Sequence, residues 1–178
     1  MLRMLGFLFL VTGLGVGCAS APKTASQRAA LDSEADRTVS EMTSRDPDLG
    51  PLLDRSAGYV VFPDVKQGGM IVGGAGGKGV LYQHGRPVGY AELSQASVGA
   101  QVGGQAFSEI LVLRDQPAVD RMKAGTFDVG GQASATIVKS GAAAASQFGE
   151  NGVAVFVSPK GGAMLNVSVT GQRVKFTG

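Results

Sequence analysis

Few residues of this sequence could do covalent or metal chemistry. There is one cysteine, Cys18, and one histidine, His84, in 178 residues. A lone cysteine cannot form an internal disulfide, and its thiol is the kind of nucleophile that acylation uses. With so few soft ligands no zinc-type cluster can be assembled, and the acidic residues lack calcium-loop spacing, so we expect neither a metal nor a cofactor. The chemistry that the sequence favours is modification of Cys18.

The segment around Cys18 has the features of a bacterial lipoprotein signal. Arg3 supplies a positive start, and Leu5–Leu14 is an apolar run of ten residues, shorter than the roughly 20 that span a bilayer. Gly17 places a small residue before Cys18, although Gly15 stands where leucine is usual. We predict a signal peptide over residues 1–17 and lipidation, such as palmitate, at Cys18. An uncleaved anchor helix and an ordinary secretory signal with an incidental cysteine remain alternatives.

The residues after Cys18 predict a tether and then one domain. Residues 18–27 are small, polar and proline-containing, which is typical of a flexible linker, and residues 28–178 are long enough for a single domain. Ala19, rather than aspartate, follows Cys18. In a two-membrane bacterium this favours a lipid anchor in the outer membrane, facing the periplasm.

Net charge and motifs exclude several function classes. The chain carries a net charge of +2 without clustered Lys and Arg, so we expect no nucleic-acid partner. Gly74, Gly76 and Gly79 match G-x-G-x-x-G, but a strand pattern follows where a dinucleotide site needs a helix. His84 precedes Gly85 in an apparent turn, and no G-x-S-x-G elbow occurs. We therefore predict that the protein is not an enzyme.

Helical periodicity occurs in two places. Leu31, Ala35, Val39 and Met42 recur at spacings of four, four and three, which predicts an amphipathic N-terminal helix. A short helix is also expected over 116–122, and a further helical turn near residues 52–53.

The rest of the chain has strand patterns separated by glycine-rich turns. The residues from Phe127 to Val138 alternate apolar and polar, which predicts one strand, and residues 165–169 and 174–176 predict a terminal hairpin. The runs Tyr59–Phe62 and Val153–Val157 are continuously apolar, as in strands covered on both faces. We predict about eight strands in a mainly β (α+β) fold. This would be an antiparallel β-barrel or sandwich with the N-terminal helix packed on it and one short additional helix.

Several spaced motifs resemble the SYLF lipid-binding domain family, which also has yeast actin-patch members. The resemblance rests on the run V-V-F-P at residues 60–63, the glycines at 73, 74, 77 and 79, the segment G-A-Q-V-G at 99–103 and G-G-Q-A-S at 130–134. It extends from about residue 37 to residue 176. The order and spacing of these motifs together make the similarity specific.

The resemblance implies a domain that binds phosphoinositides and other anionic lipids, with membrane phospholipids as partners. Eukaryotic members often carry a second module, whereas bacterial relatives commonly follow a lipoprotein signal as lone domains. We see no such module in this sequence and therefore do not expect actin as a partner. The alternative interpretation is a non-catalytic structural or interaction module that binds an unidentified envelope protein.

Basic residues near the membrane-facing end would contact the head group if this property carries over. The candidates are Arg28 and Arg37 on the N-terminal helix, and Lys66, Lys78 and Arg86 in or beside glycine-rich turns. Each basic side chain near an anionic surface contributes about 1 kcal/mol, so several must converge. Aromatic rings at the interface would come from Tyr59, Tyr82 or Tyr90.

Overall fold

The computed structural model describes residues 21–69, 72–98, 103–129, 136–138, 148–160 and 171–178; the leader and Cys18 lie outside these ranges. The helices are α1 (Ala25–Arg45), α2 (Leu49–Arg55) and α3 (Gln116–Lys123). None of the helices in the described ranges is both long and apolar enough to cross a bilayer. The strands are β1 (Gly58–Gly69), β2 (Val72–Gln83), β3 (Arg86–Val98), β4 (Gly103–Leu113), β5 (Thr126–Val129), β6 (Thr136–Val138), β7 (Val153–Pro159) and β8 (Gln172–Thr177).

The eight strands of the described residues belong to one sheet, in the order β5-β8-β3-β2-β1-β4-β7-β6. The pairs are antiparallel except for β6 and β7, which run parallel. The long strands β1 to β4 form the centre, with β1 between β2 and β4. The predicted mainly β, antiparallel architecture with an N-terminal helix is confirmed.

The sheet is curled into a half-barrel. Phe127 and Val174, near one edge, belong to the same buried apolar cluster as Val153 and Val155, near the other edge. The side chains of Gln172 in β8 and Glu109 in β4 are hydrogen-bonded at 3.0 Å although three strands lie between them, which requires the sheet to bend. We call the surface inside this curl the inner face. Helix α3 also packs against it, through Ala118, Val119 and Met122.

Helix α1 covers the opposite, outer face of the sheet. Its apolar stripe of Leu31, Ala35 and Met42 is buried against side chains of five strands and α2, among them Val61, Val80, Ile110, Ala154 and Phe156. Because both faces are covered, neighbours such as Val60 and Val61 are both fully buried. The prediction that the continuous apolar runs are strands covered on both faces is confirmed.

Helix α1 begins at Ala25, inside the predicted tether of residues 18–27. A capping box explains the earlier start: the Thr24 hydroxyl accepts from the Gln27 backbone N–H, and the Gln27 side chain accepts from the Thr24 N–H. The chain before the helix is also held, since the Ala21 N–H donates to the Glu92 carboxylate of β3.

Both ends of the strand predicted from Phe127 to Val138 are strands in the structure, whereas residues 130–135 between them lie outside the described residues. The beginning of the predicted strand lies in β5 and its end in β6, and these strands pair with β8 and β7 at opposite edges of the sheet. The alternation of apolar and polar residues in the sequence does not reveal that the two ends pair with different strands. In the predicted terminal hairpin, β8 is observed, whereas residues 165–169 lie outside the described residues.

The glycine motif of residues 74–79 lies within β2 and precedes no helix, as its sequence context predicted. One of its glycines has a packing role, because a Cβ at Gly79 would lie 2.7 Å from two atoms of the buried Phe62 ring and 2.8 Å from the Val61 carbonyl oxygen. His84 and Gly85 both have positive φ and form the tight turn between β2 and β3, as predicted.

We expect Gly79→Ala to lower the free energy of unfolding by about 2 kcal/mol, because the new methyl group overlaps a fully buried ring that has no room to move. Gly104→Ala is the matched control: its Cβ would meet nothing closer than 4.0 Å. It should change stability by less than about 0.5 kcal/mol. Urea denaturation of both variants measures the difference, and equal midpoints would contradict this account of Gly79.

Candidate functional site

A groove on the outer face lies between the C-terminal half of α1 and strands β1, β4 and β7. Its volume is about 740 Å³. Most of its lining is polar or charged: Glu34, Arg37, Thr38, Glu41, Arg45, Pro63, Asp64, Ser108, Ser158, Pro159 and Lys160. Such a lining suits a charged ligand group rather than an apolar one.

The charges of this groove are arranged around one carboxylate. Asp64 is shared by two lysines, with its oxygens 3.6 Å from the Lys66 Nζ and 3.0 Å from the Lys160 Nζ. At the end of α1, the Arg45 guanidinium donates to the Ser158 hydroxyl at 2.8 Å. The lysine side chains stay largely exposed, at 80% for Lys66 and 46% for Lys160. Both lysines therefore remain accessible to an external anion.

A register row extends this charge pattern across the outer face. Asp64 pairs with Lys78 of β2, Lys78 with Glu92 of β3, and Glu92 with Lys175 of β8. Directly opposed residues of antiparallel strands point to the same face, so these four side chains share one surface. We define the cationic face as Arg37, Arg45, Lys66, Lys78, Lys160 and Lys175.

The structure brings together three of the five basic residues proposed from the sequence. Arg37 lines the groove, and Lys66 forms an ion pair with Asp64. Lys78 is the register partner of Asp64 on β2. Arg28 lies more than two helical turns before Arg37 and stacks over the Tyr90 ring, with 5.7 Å between the guanidinium carbon and the ring centroid.

Arg86 lies apart from this group, at the opposite end of the strands. It pairs with Gln83, five residues along β2 from Lys78, which corresponds to about 17 Å. Sequence reasoning missed Arg45, Lys160 and Lys175, because only the strand pairing and the course of α1 bring them to the others.

Two tyrosines hydrogen-bond to α1 from the sheet, and a third stacks on one of them. The Tyr82 hydroxyl donates to Asp36 at 2.8 Å, and the Tyr90 hydroxyl donates to Asp32 at 3.3 Å. Tyr59 stacks on Tyr82 with ring centroids 5.0 Å apart. Burial and the Asp36 hydrogen bond raise the pKa of Tyr82, so its hydroxyl stays a donor. The predicted place of these rings at a membrane interface is not supported for Tyr82, which is buried.

A smaller cleft of about 350 Å³ contains His84, together with Asp54 and Ser56. The Ser56 hydroxyl donates to the Leu53 carbonyl at 2.7 Å and not to His84. This arrangement therefore lacks the hydrogen bond that joins a nucleophile to its base. Within the described ranges, no three Cys, His, Asp or Glu side chains converge as a metal site requires.

The inner face contains a buried acid. Glu109 of β4 is fully buried, and its Oε2 accepts a hydrogen bond from the Gln172 Nε2 of β8 at 3.0 Å. Three strands separate β4 from β8 within the sheet, so this bond crosses the interior of the curl. Burial raises the pKa of Glu109 to about 7, and the hydrogen bond from Gln172 acts in the opposite direction. In the sequence, the only indication that Glu109 is unusual is that it interrupts the largely apolar strand F-S-E-I-L-V-L of residues 107–113.

Comparison with known proteins supports the predicted family. Residues 94–177 match the family described as Ysc84, Las17-binding protein actin regulator. Beta cell expansion factor A of Aeromonas veronii is 23% identical over 154 residues, which cover 85% of this chain and 58% of that protein. The chain thus spans little more than half the length of this curated relative. The predicted resemblance to the SYLF family is confirmed over residues 94–177, and it supports a lipid-binding type of domain.

The stability of the fold should depend on the proton of Glu109. The folded protein holds this proton up to about pH 7, whereas the unfolded chain releases it near the ordinary pKa of 4.5. Stability therefore falls as the pH rises through this window and levels off above pH 7. We expect the wild-type protein to lose about 3 kcal/mol more than Glu109→Gln between pH 4.5 and about pH 8. Urea denaturation at both pH values tests this, and parallel pH profiles for the two proteins would contradict it.

Proposed function

We propose that this protein is a membrane-anchored envelope lipoprotein whose SYLF-type domain binds anionic lipid head groups at its cationic face. The observation that carries this proposal is the convergence of Arg37, Lys66 and Lys78 beside the groove, where Lys160 joins them. The resemblance of residues 94–177 to a lipid-binding family supports the same function.

The charge of the cationic face favours an anionic surface in spite of nearby acids. Six basic residues define it, and Glu34, Glu41, Asp64 and Glu92 lie among them. The Arg37–Glu41 pair is 3.9 Å apart and exposed, so it contributes little and can open toward a ligand. With about 1 kcal/mol for each unneutralised basic side chain, this surface would bind a membrane moderately and in a salt-sensitive way.

The position of the N-terminal segment supports an orientation with this face toward the membrane. The Ala21 N–H donates a hydrogen bond to the Glu92 carboxylate. Glu92 is the register partner of both Lys78 and Lys175. Cys18 is three residues earlier, so its Cα can be at most about 11 Å from that of Ala21. An anchor at Cys18 would thus hold Lys78 and Lys175 close to the bilayer. In a two-membrane bacterium we place the protein at the outer membrane, facing the periplasm.

Vesicle binding tests the head-group proposal. The full chain carrying Cys18→Ser, which cannot be acylated there, should co-sediment with vesicles of phosphatidylglycerol and phosphatidylcholine at low salt. It should be released near 1 M salt, where the Debye length is about 3 Å. Adding Lys66→Gln and Lys78→Gln should weaken the partition by about 30-fold, since about 1 kcal/mol is lost at each position.

The matched control removes the same charge at the opposite end of the strands. Arg55→Gln with Arg86→Gln, at the end of α2 and in the first position of β3, should leave vesicle binding within about twofold of the parent. Absence of binding at low salt would overturn head-group recognition and favour a protein partner. An equal loss in both double variants would show that net charge, and not the cationic face, is responsible.

Acylation tests the anchor separately. The wild-type chain, expressed in a bacterium with labelled fatty acid, should incorporate label and remain in the membrane fraction. Cys18→Ser should lose the label and move to the soluble fraction, because the thiol is the acylated group. Retention of label by the variant would show that Cys18 is not the lipidated residue.

A further inference from the structure

The inner face holds polar groups that head-group binding on the outer face does not use. Glu109 and Gln172 are fully buried, and one oxygen of each, Oε1, has no hydrogen-bond partner in the structure. A buried polar atom without a partner costs about 1–3 kcal/mol. Two such atoms on side chains that are hydrogen-bonded to each other indicate a ligand group that binds between them.

A row of glutamines leads from this pair to the surface. Gln172 pairs in register with Gln95, Gln95 with Ala75, Ala75 with Gln67, and Gln67 with Gln105. Register partners point to one face, and Ala75 belongs to the inner cluster, so the row crosses the inner face. Gln105, at its end on β4, is partly exposed, and its Oε1 also has no hydrogen-bond partner.

Beyond this row, the described part of the inner face continues with glycines. Two positions beyond Ala75, Gln67 and Gln105, the paired residues of β2, β1 and β4 are all glycines. They are Gly73, Gly69 and Gly103. Glycines offer no side chain to cover the sheet, so these three positions leave the backbone next to the glutamine row open to contact. The apolar core, with Phe107 and Leu93, lies on the other side of the row.

The unpartnered atoms specify the chemistry of the ligand. All three are carboxyl or amide oxygens, and once Glu109 is ionised each of them only accepts hydrogen bonds, so a group that donates fits them better than a phosphate or carboxylate. No lysine or arginine forms an ion pair with the Glu109 carboxylate among the described residues. A group that both donates hydrogen bonds and carries positive charge would satisfy the acid and the amide together.

We propose that Glu109 and Gln172, reached along the glutamine row, form an internal site for a primary ammonium group. The N–H donors of the ammonium bind the Oε1 atoms of both residues, and its charge neutralises the Glu109 carboxylate. The ammonium belongs to a free amine or to an aminophospholipid head group. This site is independent of the cationic face, which attracts the opposite charge.

Ethanolamine and choline are the probes that test this site. Both are small cations, but choline carries no N–H donor. Titrated into the full chain carrying Cys18→Ser and followed by calorimetry, ethanolamine should bind at pH 8 at least tenfold more tightly than choline. At pH 6 its affinity should fall about tenfold, because most Glu109 carboxyls then keep their proton, with a pKa of about 7.

Glu109→Gln should lose at least tenfold in ethanolamine affinity and lose the pH dependence, since the amide has no charge to neutralise. Glu150→Gln, the same change at an exposed position in the turn before β7, should bind like the parent. If Glu109→Gln does not fold, the wild-type comparison of the two cations and the two pH values decides alone.

Absence of ethanolamine binding at pH 8, or equal affinity for ethanolamine and choline, would overturn the proposal. Vesicles then distinguish the sources of the ammonium. Tighter binding to uncharged phosphatidylethanolamine vesicles than to phosphatidylcholine vesicles, lost in Glu109→Gln, would assign the site to a lipid. Equal binding to both would assign it to a soluble amine. Since neither vesicle is anionic, failure here is distinct from failure of the cationic face.

Discussion

The length of chain between β5 and β6 constrains the whole sheet. These strands lie at its two edges, and seven residue steps join Val129 to Thr136. A fully extended chain of that length reaches at most about 25 Å, whereas eight strands side by side in a flat sheet would separate the edges by about 34 Å. The sheet must therefore curl, and the rest of the molecule follows from that curvature.

Curvature gives the two faces different roles. The concave inner face shortens the distance between strands that are not neighbours, so that Glu109 of β4 can bond to Gln172 of β8. The convex outer face has no opposing strands, and α1 with α2 must cover its apolar centre. The part that the helices leave uncovered carries the exposed lysines. One curved sheet thus produces an enclosed acidic site and an open basic surface on opposite sides.

Local sequence patterns predicted the elements that depend on neighbouring residues. The stripe of Leu31, Ala35 and Met42 identified α1, and the apolar positions of residues 116–122 identified α3 almost to its last residue. The turn at His84 and Gly85 was equally local. Each of these elements depends on interactions between residues that are close together in the sequence, so the sequence alone was enough to predict it.

Features that depend on strand pairing could not be predicted in the same way. The glutamine row joins positions 67, 95, 105 and 172, and no spacing along the chain relates them. Lys160 joins Lys66 only because β7 pairs with β4 and β4 with β1. The split of residues 127–138 between two edges is of the same kind. The buried Glu109 is an intermediate case, since an acid inside an apolar strand was visible but its partner was not.

The short edge strands of the half-barrel bear on whether it pairs edge to edge with other chains. An open sheet exposes unpaired N–H and C=O groups at its edges, and long flat edges recruit other chains into fibrils or swapped dimers. The described part of β5 has four residues and that of β6 has three, against eleven to thirteen in the central strands. Over the described residues, each edge strand therefore presents little backbone that could template another strand. If the proposed anchor holds many copies on one membrane, such protection against aggregation matters most there.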